Sequence, residues 1–224
     1  MRVEWTPESD LGYGGLFAVP ESYDASPIVA ALLIDGCPTK VTAERLGVAA
    51  TLAFGRYASG SLTLPAPVSP EVAEAVEDYC ESWVAVGPLR LEPKPLPSGN
   101  TTFVLGGKSH NRVKNGWGRP REVALDVRRS DKWSGKLTAV DELIVASNAW
   151  LLGTASDPSD LGSYLGHLAV ATLFAESLAV DTIALPAEVD ISIGGWSRVQ
   201  ALLASARLGL IESSASDLKV PQRA

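Results

Sequence analysis

Short apolar segments alternate with amphipathic helices through the second half of the chain, and this alternation constrains the fold more than any other feature. Strands are predicted for the apolar segments, which are 103–105, 122–128, 143–146 and 181–185. Helices are predicted at 161–178 and 196–208. Strands that alternate with helices usually pair in parallel. The sequence therefore predicts an α/β fold, with a mainly parallel sheet and flanking helices in this half.

The first hundred residues predict a smaller α+β portion. Residues 27–35 form an apolar run that is typical of a buried strand or a short helix, and residues 39–54 read as a helix. The clearest helix begins at Pro70 and reaches about Trp83, and Ser69 stands where a helix cap is expected.

A linker is the best interpretation of residues 92–100, which contain three prolines. We therefore divide the chain into an α+β portion at 1–97 and a nucleotide-binding-like α/β portion at 98–224. The same elements could also form one continuous domain. No internal repeat is visible in the sequence.

Composition and hydropathy favour a globular protein with a core. The 224 residues are 46% hydrophobic and 20% charged. No stretch of about 18 uninterrupted apolar residues occurs, so a membrane-spanning helix is not expected. The first ten residues also lack the apolar segment that a secretory signal requires. We therefore expect a soluble, cytoplasmic protein that is not bound to a membrane.

The cysteines and histidines do not show the spacing of metal ligands. The chain has two of each, Cys37 and Cys80 and His110 and His167. A structural zinc site usually takes four such ligands, so all four residues would have to meet. We expect no zinc site and two buried thiols.

Positive charge is concentrated between Gly106 and Lys136. Nine lysines and arginines there oppose three acids, whereas the whole chain has a net charge of −7. Such a basic segment indicates an anionic ligand or partner, although a solvated loop paired with the acidic remainder is the alternative. The candidate contacts to an anion are Arg112, Lys114, Arg128 and Arg129. Trp117 and Trp133 lie among the cations and can stack on bases, so nucleic acid is a further candidate ligand.

The segment FVLGGKS, residues 103–109, ends an apolar strand in two glycines, a lysine and a serine. That pattern is typical of a phosphate-binding loop. A Walker-type loop also needs a glycine where Thr102 stands and a helix directly afterwards. Asn115, Gly116 and Pro120 exclude a long helix there, so the Walker interpretation fails. A tight turn whose glycines adopt positive φ remains the simplest alternative.

FVLGGKS resembles the first strand and loop of the PP-loop ATP pyrophosphatases, which carry SGGxDS at this place. Leu105 stands where that family has its first serine. The segment 174–191, FAESLAVDTIALPAEVDI, is similar to a later segment of the family, most closely in the 7-cyano-7-deazaguanine synthases. The four zinc-binding cysteines of those synthases have no counterpart in this chain. The resemblance covers about residues 103–210.

The resemblance implies a nucleotide-binding fold with ATP and magnesium near the carboxyl ends of the strands. It implies that Gly106, Gly107, Lys108 and Ser109 contact phosphate and that Asp190 lies in the ligand pocket. It also implies a purine or deazapurine-type substrate. The catalytic residues stay unidentified, and the chain could bind nucleotide without turning it over.

Two other functions stay open. The chain could be a non-catalytic protein that keeps an α/β fold and binds a protein partner. It could also bind nucleic acid through the basic segment 106–136, with affinity that falls steeply as salt rises.

Overall fold

The computed structural model describes residues 1–7, 12–80, 83–92, 94–106, 121–153, 160–189 and 195–213. No helix within these ranges is long and apolar enough to cross a membrane.

The described residues form eleven strands and four α-helices. The strands are β1 (Arg2–Thr6), β2 (Tyr13–Val19), β3 (Ala31–Asp35), β4 (Gly60–Val68), β5 (Val84–Leu89), β6 (Thr101–Leu105), β7 (Arg121–Arg129), β8 (Lys136–Thr138), β9 (Glu142–Ser147), β10 (Val180–Leu185) and β11 (Gly209–Glu212). The helices are α1 (Ala43–Phe54), α2 (Pro70–Cys80), α3 (Leu165–Phe174) and α4 (Trp196–Ser205). Short 3-10 helices lie at Gly55–Tyr57, Ala149–Leu152 and Leu161–Tyr164.

All eleven strands belong to one mixed sheet. The order across it is β11-β10-β6-β7-β9-β3-β2-β1-β4-β5, and β8 pairs with β9. The five strands from β11 to β9 are parallel neighbours, as are β1, β4 and β5. The pairs β1–β2, β2–β3, β3–β9 and β8–β9 are antiparallel. The predicted α/β class with a mainly parallel sheet in the second half is therefore confirmed.

The two halves of the sheet share one order of elements and one lateral order of strands, which no sequence repeat indicates, although the second strand is antiparallel to the first in one half and parallel in the other. In each half three strands are followed by helix, strand, helix and strand, and β8 is an additional strand in the second half. The lateral orders are β3-β2-β1-β4-β5 and β9-β7-β6-β10-β11, so the first strand of each half is central. The halves join where β3 and β9 meet. The division into two domains near residue 97 stays a prediction, since strands of both portions share this sheet.

The helices of the two halves pack against each other, α1 on α3 and α2 on α4. Every residue of α1 except Ala43 is buried, and so is every residue of α3 except His167. Helices that are apolar on all sides belong in the interior of a protein. Small residues allow the close packing: a Cβ on Gly47 would lie 2.8 Å from Cγ1 of Val68 in β4.

One buried cation links the halves. Arg45 in α1 is 1% exposed, and its Nη2 donates a hydrogen bond to the carbonyl oxygen of Val180, 3.1 Å away at the start of β10. Burial lowers the pKa of Arg45, and the negative charges of Glu176 and Asp181 oppose that shift. The guanidinium therefore holds α1 against the start of a strand that lies 135 residues later.

The predicted helices and strands of the second half are found, with one difference. The helix predicted at 161–178 begins as a 3-10 turn and its α-helical part ends at Phe174. The chain then reverses direction with Ala179 at a φ of 51° and enters β10. The chain between β9 and α3 includes the 3-10 helix Ala149–Leu152.

Replacing Arg45 should destabilise the whole chain. We expect Arg45→Met to lower the free energy of unfolding by about 2–4 kcal/mol, because the Val180 carbonyl and two nearby carboxylates lose their cationic partner. The exposed control Lys132→Met should change it by less than about 0.5 kcal/mol. Urea unfolding measures both values, and an Arg45→Met chain as stable as the parent would contradict this role.

Candidate functional site

The second half of the sheet has a topological switch point at the carboxyl end of β6. The chain leaves β6 for β7 on one side, and β10 pairs with β6 on the other side. Ligands of open α/β sheets bind in the crevice outside the carboxyl ends of two such strands. Because α3 and α4 each connect parallel strands, both helices also begin at this edge of the sheet.

Gly106 directly follows β6 and has the positive φ that the tight-turn interpretation of this loop expects. Its φ is +68°, in the left-handed region that favours glycine. A Cβ built on Gly106 would lie 3.5 Å from Cγ of Pro186, which directly follows β10. The structure therefore brings the FVLGGKS strand next to the ALPAEV segment, which is 80 residues later in the sequence.

The other predicted phosphate contacts lie outside the described residues. These are Gly107, Lys108 and Ser109, together with Asp190, Arg112 and Lys114. Their assignment stays a prediction. The described residues that flank them, Gly106 and Val189, lie at the carboxyl ends of neighbouring strands.

Tyr164, His167 and Glu188 form a cluster of titratable groups near the start of α3. The ring centroids of Tyr164 and His167 are 6.0 Å apart. Burial raises the pKa of Tyr164, and the negative charge of Glu188 raises it further. Tyr164 was not predicted as a site residue, because only the sheet order brings the residues after β10 close to the start of α3.

His167 is held mainly in its neutral form. Burial lowers the pKa of its imidazole, and the carbonyl of Ser163 opposes this shift to a smaller extent. Nδ1 is buried without a well-formed hydrogen bond to any described residue. A neutral imidazole with a free nitrogen can accept or donate one hydrogen bond to a ligand, depending on its tautomer.

Arg128 and Arg129 lie at the carboxyl end of β7, on the same edge of the sheet as Gly106. The guanidinium of Arg128 lies 5.3 Å from the ring centroid of Trp133, and that of Arg129 lies 3.9 Å from the ring of Trp150. Both already bind carboxylates: Arg128 pairs with Asp126 and Arg129 with Asp131, each at 2.7 Å. Exposed ion pairs of this kind are weak, so an anionic ligand can compete for either guanidinium.

The two thiols are structural within the described chain. Cys37 and Cys80 are buried and form no disulfide, as expected from the sequence. Burial, with a further contribution from Glu77, raises the pKa of Cys80 to about 11. No group of three or more His, Cys, Asp or Glu side chains in the described residues is arranged to hold a metal ion.

Comparison with known proteins identifies no relative of this chain. No protein-family model, curated protein or solved structure matches this chain.

The conformation of Gly106 can be tested by adding a methyl group. Gly106→Ala should lower the free energy of unfolding by about 1 kcal/mol, because an L-residue is strained at this φ while the space around the Cβ is adequate. The matched control Gly209→Ala, which has no positive φ and whose Cβ would meet its nearest atom at an ordinary 3.5 Å, should cause no such loss. Equal effects of the two substitutions in chemical denaturation would contradict the strain.

The stability should depend on pH through His167. Its pKa is lower in the folded chain than the unfolded value of about 6.5, so the unfolded chain binds more protons between these two values. Stability should therefore fall as the pH drops below about 6.5 toward the folded pKa. His167→Gln should reduce this dependence, whereas His110→Gln should preserve it. The free energy of unfolding is measured at about pH 7.5 and about pH 5.5. A pH dependence that is unchanged in His167→Gln would refute the assignment to His167.

Proposed function

We propose that the chain binds the phosphates of an adenine nucleotide at the carboxyl ends of β6 and β10. The proximity of Gly106 to Pro186 carries this proposal. It joins the two segments that resemble PP-loop ATP pyrophosphatases at the switch point between parallel strands, where nucleotides bind in such sheets.

The electrostatics of this edge also support an anionic ligand. Both α3 and α4 begin here, and helix N-termini favour negative charge. At the start of α3 the side chain of Asp160 already accepts a hydrogen bond from the backbone N–H of Gly162. At the start of α4 the N-cap residue is Gly195, and no side chain of the described residues caps the helix there. Arg128 and Arg129 add two cations at the end of β7, so the second half offers several donors to phosphate.

The neighbouring cluster favours an aromatic base as the remainder of the ligand. Tyr164 and His167 present two rings near the residues that follow β10. Aromatic side chains stack on nucleobases, so these two rings can contact the base. A purine or deazapurine-type substrate fits this combination, with magnesium accompanying the ATP phosphates.

Calorimetry of ATP binding, with and without magnesium, tests the proposal. We expect binding by the parent chain and at least about tenfold weaker binding by Lys108→Ala, since a lysine that contacts phosphate contributes a charge-assisted hydrogen bond. The control Lys132→Ala, which removes a cation from the same basic segment, should bind ATP as the parent does. ATP affinity unchanged in Lys108→Ala would exclude Lys108 from the site.

The same samples distinguish catalysis from binding. Release of AMP and pyrophosphate would support adenylation chemistry, whereas binding without turnover would support a non-catalytic nucleotide-binding protein. No ATP binding by the parent chain would contradict the proposal. A tight turn would then suffice to explain the conformation of Gly106, and a protein-interaction role would become the leading hypothesis.

A second candidate function is binding of single-stranded nucleic acid, and the Arg–Trp stacks favour it. Arg128 on Trp133 and Arg129 on Trp150 each combine a planar cation with an aromatic face. Bases stack on such faces while arginines contact phosphates. Binding of a labelled oligonucleotide that weakens steeply with salt and is lost in Trp133→Ala would support this function. No binding at low salt would exclude it.

A further inference from the structure

A cavity lies where α1, α2 and α4 meet the segment that follows β5, apart from the proposed nucleotide site. Its volume is about 240 Å³. That volume holds about eight water molecules, at roughly 30 Å³ each, or one small organic molecule. Two acids and two bases line the cavity, namely Glu44, Glu71, Lys94 and Arg207.

Glu44 lines the cavity and carries an unsatisfied carboxylate oxygen. The residue is 2% exposed. Its Oε1 accepts a hydrogen bond from Nη2 of Arg90, which forms a partly buried ion pair. Its Oε2 is buried without a hydrogen-bond partner in the described structure. Such a group is costly to leave unpaired, so it is a strong acceptor for a donor that enters the cavity.

The other three charged residues surround the cavity and are exposed. Glu71, Lys94 and Arg207 form no ion pair with any described residue. Two exposed cations therefore lie at the cavity without an ion-pair partner in the described structure, and one carboxylate oxygen of Glu44 has no hydrogen-bond partner there. The lining as a whole is electrically neutral. A ligand of matching charge therefore carries both a cationic and an anionic group.

We propose that this cavity binds a small zwitterion of the α-amino acid class. The ammonium group donates a hydrogen bond to Oε2 of Glu44, and the carboxylate binds Lys94 and Arg207 at the opening. Charge-assisted hydrogen bonds of this kind are the strong ones in proteins. The volume admits an amino acid and excludes a nucleotide, so this site is independent of the one at β6 and β10.

Thermal-shift measurements and calorimetry with each of the twenty common amino acids test this inference. We expect at least one to bind with a dissociation constant below about 1 mM and to raise the melting temperature. The amine and the carboxylic acid that correspond to the tightest binder each carry only one of its charges. Each should bind at least about tenfold more weakly than the amino acid.

Two variants locate the binding. Lys94 is exposed at the opening, so Lys94→Ala should keep the parent melting temperature. It should weaken binding of the tightest amino acid at least about fivefold. Glu44→Gln should also weaken binding of that amino acid. If loss of the charge that pairs with Arg90 unfolds the Glu44→Gln chain, Lys94→Ala alone decides. Lys132→Ala is the matched control and should bind as the parent does.

Three results would overturn the inference. The first is no binding of any amino acid at about 10 mM, a concentration that reveals even weak affinity. The second is an amine that binds as tightly as its amino acid, which would indicate a simple cation site. The third is unchanged affinity in Lys94→Ala. None of these results bears on ATP, which is measured separately with Lys108→Ala.

Discussion

The buried contact between Arg45 and the Val180 carbonyl connects the two halves of the molecule. Val180 begins β10, the strand that pairs with β6 and delivers Pro186 to the switch point. Arg45 belongs to α1, which lies in the interior against α3. The position of β10, and with it the carboxyl edge of the second half, thus depends on a helix from the first half. The proposed nucleotide site therefore requires both halves of the chain.

Much of the second half could be predicted because its strands are short apolar runs separated by helices. Parallel strands buried on both faces read as continuous apolar segments, as Phe103–Leu105 and Leu143–Ala146 do. The strand β4 was not predicted, because Pro65 and Pro67 interrupt it and proline cannot donate to a ladder. In the structure β4 pairs with β5 at 60–63 and again at Val68, so both prolines fall in the irregular stretch between.

The arrangement of the strands could not be predicted from local patterns. Gly106 and Pro186 are neighbours only because β10 inserts beside β6 after three intervening strands. The lateral strand order that the two halves share could not be predicted either, since the second strand runs antiparallel to the first in one half and parallel in the other. The basic segment was predicted from its formal charge. Arg128 and Arg129 nevertheless pair with the nearby Asp126 and Asp131, so that charge overstates the positive surface.

The two proposed sites illustrate how differently sequence and structure reveal function. The nucleotide site follows from a loop pattern in the sequence, and the sheet order supports it. The amino-acid cavity has no sequence signature, because Glu44 is an ordinary acid in the first turn of a helix until its burial and its unsatisfied oxygen are known. Its other charged residues come from distant segments of the chain.

Hydrogen exchange in the presence and absence of ATP and magnesium tests the central claim most directly. Binding at the switch point predicts slower exchange in peptides that cover the carboxyl ends of β6 and β10, around Gly106 and 186–189, with little change in β4 and β5. Slower exchange confined to the first half, or no change anywhere at saturating ATP, would contradict the account.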